Sequence, residues 1–145
     1  MRHRAALFAM LALLALRVAD TQPPRLSAQQ AWIRITPGSQ VAAAYLTLHN
    51  AGTAPVVIVG VRCPCAGHAM IHETTLADGL STMRPHERLR VAGGETVQLA
   101  PDGLHIMLSM LTWPLLPGEQ VPLELLLEGG GTVAVTARVR ALGDG

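Results

Sequence analysis

Turn signals cut this chain into short pieces. Between residues 28 and 140 they fall at Pro37-Gly38, Asn50-Ala51-Gly52, Asp78-Gly79, Gly93-Gly94, Pro101-Asp102-Gly103, Pro117-Gly118 and Gly129-Gly130-Gly131. Gly tolerates the positive φ of tight turns, Pro presets φ, and Asn or Asp satisfies its own backbone. The intervening segments alternate apolar and polar residues with period two, and none past residue 27 holds a 3.6-residue apolar period. They predict strands over 31–36, 43–50, 55–61, 69–75, 80–84, 96–99, 105–111, 121–127 and 132–140. Short strands at this spacing point to an all-β, antiparallel sandwich or barrel. No linker-like stretch divides residues 28–140 and no repeat is visible, so they are read as one domain.

The N-terminal segment reads differently. A basic start (Arg2, Arg4) precedes an unbroken apolar run over 5–16. That run is too short to span a bilayer and suits a secretory signal over 1–19, although Arg17-Val18-Ala19 is an imperfect cleavage site and an uncleaved anchor stays open. Residues 20–27 are polar and Pro-containing and read as a flexible lead. Removing 1–19 takes three of the eleven Arg, which leaves eight against ten acids and a net charge of −2. That balance argues against a nucleic acid or an anionic membrane as partner. With one Tyr, one Phe and two Trp there is no stacking platform for bases.

One constellation carries chemistry: His72-x10-Met83-x21-His105-x-Met107. Thioether sulfur is soft and uncharged, and imidazole is borderline. Together they suit Cu(I) and offer none of the hard oxygen that Ca2+ or Mg2+ requires. His105 and Met107 sit two apart on one predicted strand and leave the same face. If Asp78-Gly79 is a two-residue hairpin loop, Thr74 faces Met83 and His72 is the diagonal neighbour of Met83, about 7–8 Å away. Whether the two pairs meet is left open by the sequence. Taken singly, Met83 and Met107 also read as core fillers, and His72 as an ordinary hydrogen-bonded residue. Met110 has the opposite parity to His105 and Met107 and reads as core. His49 and His86 read as surface or turn residues, and His68 and Met70 share the parity of His72. Cys63-Pro64-Cys65 admits three readings: a disulfide, an accessory Cu(I) site with His68 or Met70, or two small residues in a turn. Export favours oxidation.

The four-residue spacing resembles the signature of the periplasmic copper chaperones of the PCu(A)C type. Further similar stretches are Ala43-Ala44-Tyr45-Leu46-Thr47-Leu48-His49-Asn50-Ala51-Gly52, Ile71-His72-Glu73-Thr74 with Met83-Arg84-Pro85, Pro101-Asp102-Gly103-Leu104-His105-Ile106-Met107-Leu108 and Leu115-Leu116-Pro117-Gly118. The resemblance covers about residues 28–140. It implies a cupredoxin-like, Greek-key β-sandwich that binds one Cu(I) through His72, Met83, His105 and Met107. It also implies delivery of the copper ion toward the CuA subunit of cytochrome c oxidase, alongside a thiol-based assembly partner of the Sco type. The ion would be carried and not converted, so neither a substrate nor an enzymatic step is implied. Glu73 stands where some members carry an extra Met and is not counted as a ligand. Competing functions are a blue-copper electron carrier, which needs a Cys ligand beside the second His, a thiol-disulfide or copper-tolerance protein using Cys63 and Cys65, and a metal-free sandwich. Imidazole must be neutral to bind, so affinity is expected to fall below about pH 6.5.

Overall fold

The computed structural model describes residues 25–144. The expected signal over 1–19 and the start of the lead fall outside them. Ten strands follow in order: β1 (Leu26–Ile35), β2 (Val41–Asn50), β3 (Val56–Arg62), β4 (Ala66–Ala77), β5 (Leu80–Pro85), β6 (Leu89–Val91), β7 (Thr96–Leu99), β8 (Leu104–Leu111), β9 (Gln120–Leu127) and β10 (Thr132–Ala141). They line up as β5-β4-β8-β2-β1-β10-β9-β3-β6, with β7 also on β2. Sequence-distant strands such as β4 and β8, or β1 and β10, are therefore neighbours, as in a Greek-key sandwich.

Three expectations need correction. The arrangement is not wholly antiparallel: β1 pairs β10 in parallel, with Trp32 beside Arg138 and Ile35 beside Ala141. The first and last strands share no connecting loop, so no hairpin dictates their relative direction. β1 also begins at Leu26, inside the expected lead, because Leu26 is buried against the core. Its first half escapes a period-two reading because the register shifts between Gln29 and Trp32, with Gln30 at φ 53°. Such a bulge inserts one residue and exchanges the two faces. Finally, β6 is a strand that was not anticipated. Only three residues long, it pairs β3 and buries Leu89 and Val91.

The core lies between the inner faces. It takes Ile33 and Ile35 from β1, Ala44, Leu46 and Leu48 from β2, Ile71 from β4, Ile106 and Leu108 from β8, and Val121, Leu123 and Leu125 from β9. Each fully buried aliphatic side chain of this kind stabilises the fold by about 1.5–3 kcal/mol. The alternate residues of β1, β2, β4 and β8 point outward, and these carry the site.

Asn50 ties the end of β2 to the loops beyond it. Fully buried, its Nδ2 donates to the carbonyls of Ala54 (2.8 Å) and Val91 (3.1 Å), and its Oδ1 accepts from the Gly52 N–H (3.0 Å). Its own N–H and C=O bond Glu95 and Gly94. Asn50→Ala removes three side-chain bonds and strands buried backbone groups. The expected loss is about 2–4 kcal/mol, measured as the shift in denaturant midpoint at unchanged slope. An unshifted midpoint would show that the latch contributes nothing.

Candidate metal centre

The β4–β5 hairpin forms around Asp78-Gly79. Both residues have positive φ (53° and 74°), the combination a two-residue I′ loop requires. The register is the one the loop predicts: Ala77 opposite Leu80, Thr74 opposite Met83, His72 opposite Pro85. The hairpin then docks through β4 onto β8. There His72 lies directly opposite His105, and Met70 directly opposite Met107. Directly opposed residues in antiparallel strands share a face, with Cβ atoms about 4.5–5.5 Å apart. His72, Met83, His105 and Met107 therefore all project from one outer face of three adjacent strands. The step that the sequence left open is supplied by the β4–β8 pairing.

Geometry prepares the imidazoles. Their ring centroids are 6.0 Å apart, and the rings lie nearly perpendicular at 75°. His105 is 5% exposed, and its Nδ1 lies 3.0 Å from the Gly103 carbonyl. A carbonyl can only accept, so Nδ1 carries the proton and the Nε2 lone pair is free for a metal. The same carbonyl accepts the Thr74 N–H, which anchors the loop before β8 to β4. His72 has a buried Nδ1 with no hydrogen-bond partner. An orphaned nitrogen costs free energy in the metal-free protein, and coordination would remove that cost. Burial lowers the His72 pKa below the usual histidine value, and neighbouring His105 and His68 lower it further.

One side of the pair is walled and the other is open. Tyr45, 2% exposed, has its ring 6.4 Å from that of His105 and 4.5 Å from that of Trp32. Arg34 stacks over Tyr45 at 5.3 Å, and Arg140 over Trp32 at 5.1 Å. Burial pushes the Tyr45 phenol above its ordinary value, opposed by Arg34, so it stays neutral at physiological pH. Trp32 stands opposite Tyr45 in the β1–β2 pairing, and sequence reasoning missed the wall because it supplied no register for that pair. On the far side β5 is an edge strand with every residue exposed, and Met83 is 50% exposed.

Other candidates fall elsewhere. Cys63 and Cys65 are joined in a disulfide and buried in the core, whereas His68 is exposed on the outer face, so no thiol site with His68 or Met70 is assembled. Glu73 projects from the opposite face to His72, with its carboxylate 3.5 Å from His86 Nδ1. His49 bonds the Thr96 hydroxyl at 2.9 Å. Met110, expected in the core, is instead 62% exposed. Its φ of 54° breaks the strand parity, and its side chain packs over Gly67, where an added Cβ would come within 3.2 Å of it. Among the described residues, no three His, Cys, Asp or Glu side chains converge on a common point.

The lowered His72 pKa has a consequence for stability. The unfolded chain takes up a proton at about pH 6.5, before the folded chain does. Metal-free stability is thus intact above that pH and declines as pH falls from it toward the folded pKa. Between pH 7.5 and 5 the denaturation midpoint of His72→Leu should change less than that of the wild type. Equal changes would show that His72 is not held neutral by the fold.

A model of the LpqE-like lipoprotein family matches residues 26–139. A protein of Leifsonia xyli subsp. xyli named as lipoprotein Lxx21020 is 33% identical over 112 residues, 77% of this chain and 67% of its own length. Among solved structures, the solution structure of CuI-DR1885 from Deinococcus radiodurans is similar at TM-score 0.66 and 31% identity, covering 87% of this chain and 85% of that one. The copper-bound PCuAC domain from PmoF2 shares the fold at TM-score 0.67 and 21% identity, covering 81% and 93%.

Proposed function

We propose, starting from the fact that the chain belongs to the LpqE-like family, that it is an exported carrier of Cu(I). The observation that carries this reading is the rung in which His72 faces His105, with Met107 and Met83 on the same face. The similar DR1885 structure is of a Cu(I) form, which supports the same assignment. His72, His105, Met107 and Met83 would hold the ion.

All four ligands are neutral, so bound Cu(I) keeps its single positive charge. Soft thioethers favour it over zinc, whose sites use thiolate, imidazole or carboxylate. The imidazole rings bind only when neutral. The depressed His72 pKa keeps that ring neutral and available at lower pH than an ordinary histidine would be. Thioethers do not take up protons at all. Release requires ligand exchange alone, and Met83 on the exposed edge strand is the group an acceptor reaches first. No bond of a substrate is made or broken in this reading, so the protein is a carrier and not an enzyme.

The finer assignment is a proposal of the same kind: a periplasmic location, and delivery toward the CuA centre of cytochrome c oxidase beside a Sco-type thiol protein. The names of its relatives fit a place in the cell envelope. The chain's two cysteines are bonded to each other inside the domain, so neither offers a free thiol to a lipid anchor. The same burial, 7% for Cys63 and 0% for Cys65, argues against a thiol oxidoreductase, whose attacking sulfur must be accessible.

Anaerobic titration against a competing Cu(I) chelator tests the carrier. The mature chain should bind one equivalent, and the Met83→Ala/Met107→Ala variant should bind at least about tenfold more weakly. Cys63→Ser/Cys65→Ser should bind as the wild type does. Binding that survives the methionine changes and vanishes with the cysteines would move the chemistry to Cys63-Pro64-Cys65.

A further inference from the structure

We infer that Met70 is an additional copper ligand, one that holds the ion while Met83 is exchanged for a ligand of the acceptor. The inference rests on the Cu(I)-carrier reading and deepens it.

The β4–β8 ladder presents two consecutive outward rungs. One is His72 opposite His105, and the next is Met70 opposite Met107. Within a rung the Cβ atoms are about 4.5–5.5 Å apart. The two rungs are two residues apart along the strands, about 6.8 Å. The four side chains thus form a compact two-by-two array of imidazole pair and thioether pair. Both methionines are half-buried, as is His72.

Met83 is placed quite differently. It stands level with Thr74 on the edge strand β5, whereas Met107 stands level with Met70 on β8. Two strands and four residues separate them, which on a flat sheet is about 17 Å between backbones. Only a curl of the exposed hairpin toward β8 brings both sulfurs to one ion. Met70 needs no such movement. His68, one rung further along, faces Ser109 and is exposed, so the array ends with the thioether pair.

The exchange is simple in its bookkeeping. The bond from copper to the Met83 sulfur breaks as one to the Met70 sulfur forms. Copper stays Cu(I), and no proton or electron moves. His72, His105, Met107 and Met70 then retain the ion with four bonds, and a donor arriving from the exposed edge forms its bond as one of these four breaks.

X-ray absorption at the copper edge counts the sulfurs bound to Cu(I) in the full mature chain loaded with one equivalent. Leu substitutions conserve volume at these positions and should leave the fold intact. Met83→Leu should retain two sulfur scatterers and lose no more than about tenfold in affinity. Met83→Leu/Met70→Leu should fall to one sulfur and weaken by a further factor of about ten or more. One sulfur in Met83→Leu, with no further change in the double variant, would overturn the assignment of Met70 while leaving the carrier reading intact. Two sulfurs persisting in the double variant would overturn it as well, since the second would then come from elsewhere in the chain. A wild-type chain that takes up no Cu(I) would overturn the carrier reading and this inference together.

Discussion

The pairing of β4 with β8 is the constraint on which the rest of the site depends. It alone sets His72 against His105 and Met70 against Met107. A slip of one residue would send one strand's ligands into the core and bring Ile71 or Ile106 to the surface. The cost of exposing those two buried side chains, about 1.5–3 kcal/mol each, therefore also protects the geometry of the metal centre. The Gly103 carbonyl adds a local lock by accepting from both the Thr74 N–H and the His105 ring.

Inside and outside divide the labour. The inner faces hold the aliphatic core and the bonded cysteines. The outer face holds every proposed ligand, in a gradient from the walled side at Tyr45 and Trp32 to the exposed edge at Met83. A centre meant to retain a cofactor is expected to be closed on all sides. An ion bound on a sheet face beside an edge strand can be approached directly, which suits cargo. Two imidazoles on the firm side and an exposed thioether on the other would let the ion leave one bond at a time.

Much of this was legible in the sequence, for definite reasons. The all-β class follows from turn chemistry and period-two alternation, and the hairpin register from Asp78-Gly79, whose positive φ values leave little choice of loop. The parity of His105 and Met107 placed both on one face. What stayed hidden were effects of long range or broken parity. The partnership of β4 and β8 joins segments more than thirty residues apart and no local pattern encodes it. The bulge at Gln30 concealed the first half of β1, and the register that sets Trp32 opposite Tyr45 was not readable from the segment joining β1 to β2. Positive φ at Met110 turned an expected core residue outward. The parallel β1–β10 pair has no turn to announce it. The resemblance to PCu(A)C chaperones supplied the ligand set, and the fold brings those side chains to a common face.

The most direct test of a shared His/Met centre is to watch the ligands themselves as the metal arrives. In the mature chain with 13C-labelled methionine methyl groups and 15N-labelled histidine rings, Cu(I) is added anaerobically and resonance spectra are recorded. The Met83 and Met107 methyls should shift together with the His72 and His105 ring nitrogens, and all should saturate at one equivalent. Copper bound with both methyl resonances unmoved would contradict the centre described here.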